Sequence, residues 1–133
     1  MKRTELRDHI FKMVFEMEFN GAEEMPAQAE LYLGQIEDAK EKDLEYIGTK
    51  AAKIREKLGE IDKLLNDTSK GWKTTRMNKV DLGILRLAVY EIKWDEDVPA
   101  GVAINEAVEL AKRYSSDDGP SFINGVLAKL VNP

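Results

Sequence analysis

The sequence predicts an all-α protein built as two small helical bundles. Three observations carry this expectation. Apolar residues recur at spacings of three and four along most of the chain, the period of a helix with one buried face. No segment shows the apolar–polar alternation of a strand. A polar run ending in glycine, NDTSKG from Asn66 to Gly71, interrupts the pattern and is the strongest loop signal. The pattern divides into about seven helices. It predicts one domain with an amino-terminal helical subdomain over residues 1–66 and a carboxy-terminal one over residues 72–133.

The first helix is expected from Thr4 to Phe19. Leu6, Ile10, Val14 and Met17 form its apolar line, and Gly21 is its stop. Phe11, Phe15 and Phe19 form a second line four residues apart. Either two neighbouring elements cover that line, or part of it stays open for a partner. A second helix starts at Met25–Pro26, because proline is tolerated in a first turn, and runs through Leu31, Tyr32 and Ile36 to about Lys40.

Leu44, Ile47, Ala51, Ile54, Leu58, Ile61 and Leu65 then alternate steps of three and four without a break. This predicts one long helix with a seam like that of a coiled coil. Gly48 and Gly59 each cost roughly 1 kcal/mol relative to alanine, so local bends are expected there. Trp72–Met77 reads as a short helix. Val80, Ile84, Leu87, Ala88 and Ile92, broadened by Leu85 and Val89, predict a helix buried on most sides. Asp95–Pro99 ends it, and helices over Val102–Tyr114 and Pro120–Val131 complete the chain. Asp118 before Gly119 and Pro120 reads as a cap followed by a proline start.

Asn105 and Glu106 interrupt one apolar run, and Asn124 and Gly125 another. Asn and Gly both lower helix propensity. A buried hydrogen bond, a close backbone approach or a ligand is the expected reason for them.

Composition narrows the function. Cysteine is absent, which removes disulfides, thiol nucleophiles and Cys-based metal sites. No run approaches the roughly 18 apolar residues of a membrane span, and the charged start MKRTELRDHIFK lacks a signal segment. A cytoplasmic protein is expected. The net charge of −5 counts against a strong nonspecific nucleic-acid binder, while leaving room for a local basic patch.

No catalytic constellation is legible. His9 is the single histidine and no H-E-x-x-H, GxSxG, P-loop or GxGxxG pattern occurs. Glu91 and Glu106 are better explained as buried structural acids than as an acid–base pair. Arg86, inside LGILRLAVYEI, needs a carboxylate if covered. Arg86 or a nearby base is therefore expected to pair with Glu91 or Glu106 between helices of the second half. For RNA, the candidate cations are Lys2, Arg3, Arg7 and Lys12, with Arg3 and Arg7 one turn apart. Phe122, in the first turn of the last helix, either packs inward or stands at the rim of a site where a base could stack.

DLGILRLAVYEI (Asp81–Ile92), VPAGVAINEAVELAKRY (Val98–Tyr114), DDGPSFINGVL (Asp117–Leu127) and the basic first helix together resemble the NusB family of bacterial transcription antitermination factors. The resemblance implies two perpendicular helical bundles and no catalysed reaction, cofactor or metal. It implies a partner, the small-subunit ribosomal protein NusE, and binding to the boxA segment of nascent ribosomal RNA leader transcripts. Other Nus factors and RNA polymerase would complete an assembly that passes terminators.

Carried over residue by residue, the resemblance assigns RNA contact to Lys2, Arg3, Arg7, Lys12, Asp118 and Phe122. Phe122 would stack on a base, and Asp118 would accept a hydrogen bond or cap the helix. Thr4 and Glu5 stand where the family often has arginine. The partner surface falls on Phe15, Phe19 and Asp81, with Phe15 where a tyrosine is common. A weak basic patch gives modest, salt-sensitive affinity, so RNA binding is expected to tighten once a partner extends the surface. The resemblance is compatible with a monomer or a homodimer. The alternative is a NusB-like interaction module without its own RNA function, as attached to some rRNA methyltransferases. The chain stops at Pro133, after its last predicted helix, and the antitermination factor is the expectation.

Overall fold

A computed structural model describes residues 1–133. It contains seven α-helices and no strand: α1 (Arg3–Glu16), α2 (Met25–Gly34), α3 (Glu41–Glu56), α4 (Leu58–Thr68), α5 (Lys79–Trp94), α6 (Ala100–Tyr114) and α7 (Gly119–Val131). The short helix predicted after the central loop is a single 3-10 turn, Thr74–Arg76. Asn66 pins that connection, its side-chain oxygen accepting from the Thr74 N–H at 2.8 Å.

Helix α5 is the centre of the molecule. Asn78 caps it by accepting from the Val80 and Asp81 N–H groups. Every residue from Asp81 to Glu91 is buried, as its wide apolar face predicts. Helices α1, α4, α6 and α7 pack around it. Gly83 lets α1 come close: a Cβ there would lie 3.2 Å from Phe11 and 3.4 Å from the Phe15 backbone. Helix α6 buries the small residues Ala103, Ala107 and Ala111. One continuous apolar core runs from Ile10 through Ile54 and Leu87 to Leu127. No helix is long and apolar enough to cross a membrane.

Two predicted boundaries move. The seam from Leu44 to Leu65 is carried by two helices, not one, because Lys57 leaves the helical region (φ −101°, ψ 4°). Ile47, Ile54, Ile61 and Leu65 stay fully buried on both sides of the break, so the heptad spacing survives while the backbone bends. Gly48 does not bend α3; it admits Leu33 of α2, whose Cδ1 would lie 3.0 Å from a Cβ. Helix α2 ends at Gly34 rather than Lys40. Asp38 then turns the chain in the left-handed region (φ 56°), a conformation that aspartate tolerates better than most residues.

The buried charges pair differently from the expectation. Arg86 binds Asp62 of α4 at 2.9 and 2.7 Å and Glu18 beyond α1 at 2.8 Å. Glu91, 1% exposed, accepts from Arg7 of α1 and Lys50 of α3 instead. The pairing of Arg86 with Glu91 or Glu106 is thus corrected. Residues five apart on a helix point about 140° away from each other, so Arg86 and Glu91 serve opposite sides of α5. Both charges tie the carboxy-terminal half to the amino-terminal half.

Candidate nucleic-acid and partner interface

The amino end of α1 carries the free cations. Lys2 and Arg3 are exposed, and the Met1 ammonium reaches Asp43 at 3.4 Å, which ties the terminus to α3. Arg3 lines a cleft of about 300 Å³ whose far wall includes Tyr46, Val98 and Val102. Arg7 lines the same cleft but differs in state. Its side chain is 11% exposed, with Nη2 at 2.7 Å and Nε at 3.3 Å from Glu91 and Nη1 at 3.6 Å from Glu106. The Arg7 guanidinium, which the resemblance assigns to RNA, is therefore held inside the protein by two carboxylates.

Lys12 stands one face away, 44% exposed and 3.0 Å from Asp8. Asp8 also accepts from the Tyr114 hydroxyl at 2.6 Å and from Arg113 at 3.4 Å. Burial works against the Asp8 charge, but these donors hold its pKa below the ordinary carboxylate value. The Asp8 hydrogen bond raises the Lys12 pKa in turn. Lys12 and Arg113 each lie 5.8 Å from the centre of the Tyr114 ring. The result is a cation–aromatic cluster with one internal carboxylate and a surplus positive charge. Tyr114 and Arg113 were not legible as members from spacing, because α6 brings them to α1 across the fold.

Phe122 is half-buried at the start of α7. It packs against the edge of the core and meets Trp72 edge-on, with ring centres 6.2 Å apart and planes at 75°. Asp118 is exposed at the N-cap position and makes no side-chain capping bond. Its predicted capping role is corrected: its backbone is helical (φ −84°, ψ −12°), where a capping side chain needs an extended one. Its carboxylate faces solvent.

The phenylalanine line is graded. Phe11 is buried and stacks on Tyr114, with centres 5.3 Å apart. Phe15 is half-covered, and Phe19 is 62% exposed and edge-on to Phe15 at 5.1 Å. Asp81 does not join them at the surface. It is 7% exposed and accepts from the Ser115 hydroxyl at 2.5 Å. Asp81, expected at the partner surface, thus makes an internal bond that fixes the α6–α7 turn. Gly119 is required there, since a Cβ would collide with Ser115. Asn105, Asn124 and Gly125 are exposed, and nothing lies within 4 Å of a Cβ at Gly125. Neither a buried bond nor a close approach explains them.

An all-helical fold tied together by ion pairs between its halves, with open cations and aromatics at its edge, defines the class of protein. The chain belongs to the NusB family, whose model matches residues 4–132. It is 48% identical over 132 residues to the transcription antitermination protein NusB of Lachnoclostridium phytofermentans, covering 99% of this chain and 100% of that one. The NusB of Agathobacter rectalis is also 48% identical, over 98% of this chain and 100% of its own. The structure of T. maritima NusB superposes with a TM-score of 0.84 at 32% identity, covering 98% of this chain and 90% of that one. The same fold recurs at 23% identity and a TM-score of 0.81 in a chain from the crystal structure of a plectonemic RNA supercoil, covering 97% of this chain and 93% of that one.

Proposed function

We propose that this chain is a cytoplasmic, non-enzymatic transcription antitermination factor that binds boxA-type RNA of ribosomal RNA leaders jointly with NusE. Other Nus factors and RNA polymerase complete the assembly. One observation carries the reading: α1 has free cations, Lys2 and Arg3, at one end and an open aromatic, Phe19, just past the other. Cations attract phosphates at a salt-dependent cost in counterions. An exposed aromatic beside a half-covered one suits a protein partner.

In this reading Lys2, Arg3 and Lys12 attract the RNA backbone, and Phe122 and Asp118 meet bases. Phe15 and Phe19 receive NusE. Arg7 and Asp81 act from behind: Arg7 fixes α1 through Glu91, and Asp81 fixes the turn that presents Asp118 and Phe122. With a net charge of −5, the protein alone has little general attraction for RNA, and the partner supplies the rest.

Isothermal titration of the chain with purified NusE tests the partner half. A saturable heat that Phe19→Ala removes supports it. No association of the wild-type protein with NusE overturns it.

A further inference from the structure

A cleft of about 350 Å³ lies between the connection after α4 and the outer face of α7, lined by Ser69, Lys70, Trp72, Phe122, Gly125 and Lys129. No carboxylate lines it, although the chain has 25 acidic residues against 20 basic ones. Lys70 and Lys129 are exposed, and the lysine side-chain ion pairs of this protein belong to Lys12, Lys50, Lys57, Lys79 and Lys112 instead. Trp72 is 54% exposed. Phe122 braces the indole edge-on and leaves more than half of it open.

Gly125 also gains a reason here. Glycine inside a helix costs roughly 1 kcal/mol relative to alanine, and no neighbour crowds this position. It lies in the lining of the cleft, where any side chain would project into the space between Trp72 and Lys129.

We propose that Trp72 is a second base-stacking residue, and that Lys70 and Lys129 hold the phosphates beside it. The RNA path then extends from Phe122 across the α4–α5 connection. The chemistry selects single-stranded RNA. Open indole faces accept unpaired bases of any sequence, lysines neutralise phosphates, and duplex bases are already stacked on one another. This inference rests on the RNA-binding reading above.

The test uses the full chain with NusE and single-stranded boxA-type RNA. The chain has two tryptophans, so Trp94→Phe leaves Trp72 as the sole reporter. Its fluorescence should be quenched with the same midpoint as RNA anisotropy. Trp72→Ala should weaken RNA binding about tenfold, Trp72→Phe by less, with melting temperature and NusE affinity unchanged. Unquenched Trp72 and wild-type RNA affinity for Trp72→Ala, while Phe122→Ala still weakens binding, would overturn this inference and leave the RNA function standing. Loss of NusE affinity in Trp72→Ala with intrinsic RNA affinity intact would overturn it in favour of a protein contact. No RNA binding by the wild-type pair would remove the functional reading itself and this inference with it.

Discussion

Arg7 and Glu91 join α1 to α5 through two hydrogen bonds of 2.7 and 3.3 Å. Lys50 of α3 shares the same carboxylate at 2.6 Å. Burial opposes the Lys50 charge, yet Glu91 and Asp95 keep its pKa above the ordinary lysine value. Removing one member of a buried ion cluster leaves the others uncompensated and costs about 3–5 kcal/mol. Glu91→Gln should lose stability on that scale in urea denaturation. Glu106→Gln should lose less than about 1 kcal/mol, because Glu106 is 29% exposed and 3.6 Å from Arg7.

The phenylalanines of α1 should separate stability from binding. Phe11→Ala empties a core site and should cost about 3–5 kcal/mol. Phe19→Ala should change stability by no more than about 0.5 kcal/mol and weaken NusE about tenfold or more. Thermal melts and calorimetric titration read the two effects.

Gly119→Ala forces a Cβ against Ser115 and disturbs the Ser115–Asp81 bond. Overpacking of this kind costs about 1–3 kcal/mol. Gly83→Ala meets softer contacts at 3.2 Å and beyond and should cost less. Chemical denaturation of the two variants side by side gives the order.

Helix α2 buries no residue completely and is held partly by the Tyr32 hydroxyl, 2.7 Å from His9 Nδ1. Burial, with Lys12 nearby, lowers the His9 pKa from its ordinary 6.5. Folding therefore favours the neutral ring. That contribution is full above 6.5 and is lost as pH falls through the folded value. The melting temperature should decline between pH 7 and pH 5.5, and the decline should flatten in His9→Phe. An equal decline in both proteins would assign it to other groups.

Much of the fold was legible because a buried helical face repeats every three or four residues. The burial of Asp81–Glu91 and the loop at Asn66–Gly71 follow from such local patterns. The break at Lys57 does not, since the apolar spacing of Ile54, Leu58 and Ile61 continues across it. Partner choice among charges was also hidden. It depends on which helices flank each side of α5, which the spacing along α5 does not give. Exposure was legible where it follows from position, as at Lys2, Arg3 and Phe19. Burial was not legible at Arg7 and Asp81, whose charged side chains are covered by helices distant in sequence. Trp72 carried no spacing signal, because its cleft exists only once α7 packs beside the loop.

In the proposed function, RNA and partner are bound together by one acidic body with a thin cationic edge. Fluorescence anisotropy of a boxA-type RNA, titrated with this protein in the absence and presence of saturating NusE at fixed salt, tests it most directly. The affinity should be at least about tenfold tighter with NusE, and the binding constant should fall as salt rises. Equal affinities in the two titrations would contradict it.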